Sequence, residues 1–276
     1  MDATLAVIIP NYNKERYIEK CLESVLKQTL QPNQIIVVDD CSSDGSRDII
    51  RTLAKQNQRI VPVFLKENRG VSNARNVGVE YANTEYITFL DSDDCYFNPN
   101  KLENEMMILS DKGEMALAYS KTVKVNENGE IINAGLADWR YLSGAVSKAL
   151  IANYKGFSTL PRDYTMTRSV FLRYGGYNPN RALYEDFELS LKLACAGVSF
   201  WYTREMGTSY RAVAGGLSDK KKDTLKKEFL GLRIQYWKRY PTLIGKMQIV
   251  ILSILQFIRR ISEYIARHIG IKVDIK

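Results

Sequence analysis

Cysteine is scarce in this 276-residue chain. The four cysteines are Cys21, Cys41, Cys95 and Cys195, and no two form a CxxC pair. A zinc site therefore has no local signature. Four cysteines in a chain this long also make a poor disulfide framework, so buried free thiols in a reducing compartment are expected. Long apolar runs are missing too. The longest, MQIVILSILQFI at 247–258, falls short of the roughly 20 residues a spanning helix needs. The apolar run near the start is too short for a signal peptide, and no basic residue precedes it. Together these point to the cytoplasm. Positive charge is missing from the body of the chain. Residues 219–276 hold 14 Lys+Arg and 5 Asp+Glu, while the other 218 residues hold 25 and 26. A neutral body has no field to attract nucleic acid, so nucleic acid is not an expected partner. No repeat or low-complexity segment interrupts the chain, and 45% apolar with 25% charged residues excludes wholesale disorder.

The first 120 residues alternate two periods. Apolar runs at 5–9, 34–38, 60–65 and 86–90 read as buried strands. Helical spacing fills 14–28, where Asn13 can act as the cap, and also 46–56 and 70–82. Another helix opens at Pro99. Strands apolar throughout and alternating with helices predict an α/β fold with a parallel sheet covered on both faces. Past residue 120 the pattern changes. Asn128-Gly129 fits a two-residue hairpin turn. Residues 134–165 have no clear period. A short helix is expected at 169–174 and an amphipathic helix after Tyr184-Glu185-Asp186, closed by Gly197, with a strand at 198–202.

Three of the first four strands end in polar clusters, and ligands of open parallel sheets sit at carboxyl strand ends. The cluster Asp91-Ser92-Asp93-Asp94 puts three carboxylates within four residues. They repel unless a cation lies between them, and hard oxygen ligands suit Mg²⁺ or Mn²⁺ bridging a diphosphate. The alternative is an Asp-rich turn before the Pro99 helix. Asp39 and Asp40 can accept hydrogen bonds from a base or ribose, or build a turn with Ser42, Ser43, Asp44 and Gly45. Tyr12 can stack on a base or pack in the core. Asn68-Arg69-Gly70 and Asn73-Ala74-Arg75-Asn76 join a glycine, a helix start and a cation, which suits a phosphate or ribose, or else form a solvated helix face.

In order along the chain, VIIPNYN (7–13), SVLKQT (24–29), IIVVDDCSSDGS (35–46), ENRGVSNARNVGVEYA (67–82), ITFLDSDD (87–94), FLRYGGYNP (171–179) and YEDFELSLKLACAG (184–197) resemble family-2 glycosyltransferases of the GT-A fold. The resemblance covers about residues 5–218. It implies a mostly parallel Rossmann-like sheet flanked by helices, with a catalytic domain over 1–218. The donor half would span about 1–120 and the acceptor half about 121–218. It implies nucleotide-sugar contacts from Pro10, Tyr12, Asn13, Asp40, Asn68, Gly70, Arg75, Asn76, Asp91 and Ser92. Asp93, with Asp91 and Asp94, would hold Mn²⁺ or Mg²⁺, and Asp186 would be the catalytic base. Family members invert the anomeric centre and mostly use UDP-sugars, so an acceptor hydroxyl on a cell-surface glycan or glycolipid is expected. One departure stands out. Many members carry Tyr-Arg-x-His after the base, whereas here Tyr210-Arg211-Ala212-Val213 ends in Val, and the single His is His268. Arg211 is then the candidate to contact the diphosphate directly.

Two other classes compete. A non-catalytic nucleotide-sugar-binding or scaffold protein could share the fold, although the acidic segments are intact. A nucleotidyltransferase would need a Gly-rich basic triphosphate loop, and PNYNKERY is not one. Residues 219–276 are expected to form a basic helical tail. A helix opens at Lys220-Lys221-Lys222 and stops at Pro241. The segment 246–267 then carries Met247, Val250, Ile251, Ile254, Phe257, Ile258, Ile261 and Ile265 on one face and cations on the other. Such a helix suits the cytoplasmic face of an anionic membrane and a lipid-linked acceptor. The same stripe could instead pack on the catalytic domain or on a second subunit, giving a homodimer. Trp139, Tyr141 and Trp201 are candidates for stacking on sugar or for the core.

Overall fold

A computed structural model of the chain describes residues 3–134, 141–152, 163–181, 183–212 and 222–241. The first half runs β1 (Leu5–Asn11), α1 (Ile18–Leu26), β2 (Gln34–Asp39), α2 (Ser46–Gln56), β3 (Ile60–Phe64), α3 (Val71–Tyr81) and β4 (Tyr86–Phe89). The four strands pair in parallel in the order β3-β2-β1-β4. Every residue of β1 is buried, because the strand is central and helices cover both faces. Alternate side chains enter two separate cores. Ile8, Ile36 and Val38 pack with Ala74 and Val79 of α3. Val7, Ile9, Ile35 and Val37 pack with Ile18, Cys21, Leu22 and Val25 of α1. Helix α3 lies hard against β1. A Cβ at Gly78 would come 2.3 Å from Ile8 Cγ2, so only glycine fits there.

The second half runs β5 (Cys95–Tyr96), α4 (Lys101–Lys112), β6 (Ala116–Val125), β7 (Ile131–Asn133), α5 (Ser147–Ala152), β8 (Thr165–Thr167), α6 (Arg168–Arg173), α7 (Glu185–Cys195), β9 (Ser199–Arg211) and α8 (Lys222–Arg239). The sheet continues β4-β8-β6-β9-β5, so both halves share one nine-stranded sheet. β8 runs antiparallel to β4 and to β6, which makes the sheet mixed at its middle. Behind this junction lies a buried polar cluster. Lys101 Nζ donates to Glu105 at 2.9 Å and to the Asp163 carbonyl at 3.0 Å. Thr165 and Ser120 hydroxyls donate to Glu105 at 2.6 and 2.7 Å. Burial pushes the Glu105 carboxyl above the ordinary carboxylate range, against the lowering effect of Lys101.

Several local expectations change. Asn13 does not cap α1, which starts at Ile18 with no side-chain cap. Its Oδ1 instead accepts from the Ser43 N–H at 2.8 Å. The 126–130 hairpin is closed by an Asn126 N–H to Glu130 carbonyl bond, leaving a three-residue loop with Gly129 at φ 90° rather than a two-residue turn. β9 runs through Arg211, far beyond residue 202. Its register against β6 jumps from Tyr119↔Tyr202 to Lys121↔Met206, with Arg204 at φ 64°. The polar residues of that bulge end the apolar run that marks the strand in sequence. Tyr141 is buried and stacks on Tyr202 at 4.4 Å, which places it in the core. The Trp201 indole N–H donates to Ser199 Oγ at 2.9 Å. Trp139, Val213, His268 and the 246–267 segment lie outside the described residues. Helix α8 is docked on the body: Leu232 and Tyr236 are buried, and Arg233 Nε donates to the Ile151 carbonyl at 2.7 Å. Among the described residues, no helix is long and apolar enough to cross a membrane.

Candidate active site

The loops after β1 and β2 are laced together by short polar side chains. Asp39 is fully buried. It accepts from Asn11 Nδ2 at 2.9 Å, from the Ser42 N–H at 3.0 Å and from Arg47 Nε at 2.6 Å. Asp44 accepts from the Glu15 and Ser46 N–H groups at 2.9 and 3.0 Å. Burial works to raise the Asp44 carboxyl, but the hydrogen bonds from Ser46 and Glu15 outweigh it and hold the group below its ordinary value. Asp40 has a separate task. Its two carboxylate oxygens accept from the Arg69 and Gly70 N–H groups at 2.9 and 2.7 Å. Gly70 sits at φ 87° at the start of α3, a conformation that favours glycine. Asp40 thereby fixes the entry of the helix that carries Arg75.

Arg75 is the hub of the site. Its side chain is 1% exposed, with Nη2 2.6 Å from Asp91 Oδ1 and Nη1 3.0 Å from Glu185 Oε1. The guanidinium also lies 5.0 Å over the Tyr177 ring. One cation from α3 therefore ties the acidic loop after β4 to the first turn of α7. Asp186 follows Glu185 directly, and its Oδ1 accepts from the Phe187 N–H at 2.7 Å. Burial pushes the Tyr177 phenol well above its ordinary value. Arg75 opposes this, while Asp186, Glu185 and Asp91 add to it, so all four charges act on one hydroxyl. Positions 40, 91 and 186, distant in sequence, are drawn to a common region through α3.

The acidic loop itself is compact. Carboxylate oxygens of Asp91, Asp93 and Asp94 lie within 4.8 Å of one another. Asp93 Oδ2 is 2.6 Å from Lys14 Nζ. Asp94 Oδ1 accepts from the Arg211 N–H at 2.8 Å. Three clustered carboxylates, two of them partly open to solvent, form a hard oxygen donor set that fits Mg²⁺ or Mn²⁺.

The remaining expected residues divide by their surroundings. Tyr12 is 46% exposed, and Asn13 and Asn68 are exposed beside the same strand ends. Pro10 is buried in β1, two positions past Ile8, where the pairing with β4 ends. Ser92 is buried in the acidic loop. Asn76 faces a protein partner: its amide donates to the Tyr177 carbonyl at 2.8 Å and accepts from the Tyr177 N–H at 3.0 Å. It brackets the chain ahead of α7 rather than presenting its amide to a ligand. Arg211 is likewise turned to the protein. Its Nε donates to the Asp93 carbonyl at 3.1 Å, its Nη1 donates to the Glu127 carbonyl at 2.6 Å, and its guanidinium lies 5.1 Å from the Tyr17 ring centre. Lys14, Glu185 and Tyr177 carry no site signal in the sequence. Each meets its partner across many residues, and no local pattern marks such a contact.

Comparison with protein families matches residues 6–167 to the model described as Glycosyl transferase family 2. A putative teichuronic acid biosynthesis glycosyltransferase, TuaG of Bacillus subtilis, is 31% identical over 229 residues, covering 83% of this chain and 87% of that protein. Chondroitin synthase of Pasteurella multocida is 30% identical over 194 residues, 70% of this chain but 19% of that longer protein. Among solved structures, S. aureus TarS 1–349 in complex with UDP-GlcNAc superposes with a TM-score of 0.65 at 18% identity, covering 91% of this chain and 78% of that one. At that identity the likeness speaks for a shared fold.

Proposed function

Since the chain belongs to glycosyl transferase family 2, we propose that it is an inverting glycosyltransferase that moves a sugar from a UDP-sugar to an acceptor hydroxyl in cell-surface polysaccharide or glycolipid synthesis. The observation that supports this reading is the Arg75 bridge from Asp91 to Glu185, the residue next to Asp186. The relatives named for teichuronic acid and chondroitin synthesis, and the neighbour titled as a UDP-GlcNAc complex, support the substrate class.

In this reading Tyr12 stacks on the base, and Asp40 lines the nucleoside side while holding the start of α3. Asp186 accepts the proton of the acceptor hydroxyl as that oxygen attacks the anomeric carbon. The bond from that carbon to the diphosphate breaks, and the diphosphate leaves on the opposite face. Asp91, Asp93 and Asp94 would hold Mn²⁺ or Mg²⁺, which supplies positive charge to the leaving diphosphate. Arg75 sets the spacing of the two carboxylate-bearing segments. Arg211 supports the acidic loop from behind. The basic segment beyond α8 is the part assigned to the cytoplasmic membrane face, where a lipid-linked acceptor would lie.

The test is release of UDP from a panel of UDP-sugars with Mn²⁺, compared with Asp186→Asn. General base catalysis is worth about 10²–10⁴-fold, so the variant should lose that much while remaining folded. Turnover within threefold of the parent would remove Asp186 from the base role. Pyrophosphate as the product would indicate nucleotidyl transfer, and UDP binding without release from any donor would indicate a binding protein.

A further inference from the structure

Helix α8 reaches the turn that carries Asp186. The Phe229 ring centre lies 5.5 Å from that of Tyr184 and 4.6 Å from that of Phe187. These two residues flank Glu185 and Asp186 directly. Tyr184 sits at φ 60°, ψ 31°, a left-handed conformation that non-glycine residues rarely adopt. Such a residue persists where its surroundings over-determine it. Phe187 is 1% exposed and anchors the first turn of α7 in the core. Other ties join the same helices. Arg181 Nε donates to Glu188 at 2.6 Å, and its Nη1 lies 3.6 Å from Glu228 on α8. Leu232 and Tyr236 are buried one and two turns beyond Phe229. Asn76 holds Tyr177 on the approach to this turn.

We propose that Phe229 is a positioning residue. Its ring, packed against Tyr184 and Phe187, holds the turn in the geometry that sends Glu185 to Arg75 and sets Asp186 at the reaction side. The helix after the acidic and base-bearing segments is then a working part of the site. This inference rests on the reading of Asp186 as the base.

The test uses the full chain with Phe229→Ala, Phe229→Leu and Phe229→Tyr, with Asp186→Asn in parallel. Hydrogen exchange is followed in peptides covering 183–190 and 5–9, and UDP release is followed from UDP-GlcNAc with Mn²⁺. In Phe229→Ala, amides 185–188 should exchange at least tenfold faster while the β1 amides keep the parent rate. The kcat for UDP release should fall at least tenfold with the donor KM within twofold, and Phe229→Tyr should restore both. Phe229→Leu, which fills the space without a flat ring, serves if the alanine variant does not fold and should show an intermediate effect. Unchanged exchange at 185–188 overturns the proposal, as does equal acceleration at β1, which would mean general loosening. If Asp186→Asn keeps turning over, the base assignment fails by itself, and the exchange data, which need no donor, still decide whether Phe229 holds the turn.

Discussion

Lys14 Nζ lies 2.6 Å from Asp93 Oδ2, an ion pair that joins the β1–α1 turn to the acidic loop 79 residues further on. The side chains are 31% and 22% exposed, so solvent screens the pair. The protein thus brings a cation of its own to the carboxylates proposed to hold a divalent ion.

At the proposed metal site, Lys14 would compete with the divalent ion for Asp93. Exposed ion pairs are worth up to about 1 kcal/mol, or roughly fivefold in an equilibrium. Lys14→Met should therefore tighten Mn²⁺ binding by up to about fivefold, read from the free Mn²⁺ signal in electron paramagnetic resonance without any donor present. Weaker binding in the variant would show that Lys14 supports the ion rather than displacing it.

Arg75 compensates two carboxylates that are 16% and 12% exposed. Removing one partner of a buried ionic group leaves charge uncompensated and costs about 3–5 kcal/mol. Arg75→Met should lose stability on that scale in urea unfolding. Adding Glu185→Gln should recover part of the loss, because one orphaned charge is removed. A loss under about 1 kcal/mol would mean the bridge is not what holds α7 to the acidic loop.

Glu105 supplies a pH signature for the buried cluster behind the sheet. Burial raises its folded-state pKa, so the stability it contributes is present below the unfolded carboxylate value and is lost as pH rises through the folded one. The unfolding free energy of the parent minus that of Glu105→Gln should then fall as pH climbs from about 4 through the carboxylate range. A difference that grows with pH would show that the Lys101 pairing, the weaker influence beside burial, governs the site instead.

The boundaries of α2, β2 and β3 were legible to within a residue or so, because uninterrupted apolar runs and helical spacing carry their own period. The acidic loop was legible for a similar reason: three carboxylates in four residues are strange wherever they occur. The polar stretch of β9 was not, since its residues break the apolar run and it is held in the sheet by pairing with β6 and β5, strands distant in sequence. Asn13 was a credible cap until the loop after β2 came within reach and offered the Ser43 N–H.

By itself the sequence determined the family, the parallel first half and the residue types at the strand ends, since these depend on short-range pattern and composition. Which of those residues bond into the protein frame was decided by tertiary structure alone. Asp40, Asn76 and Arg211 each bond to protein groups 29 or more residues away. Hydrogen bonds and ion pairs act within a few ångströms, and only folding brings such groups that close.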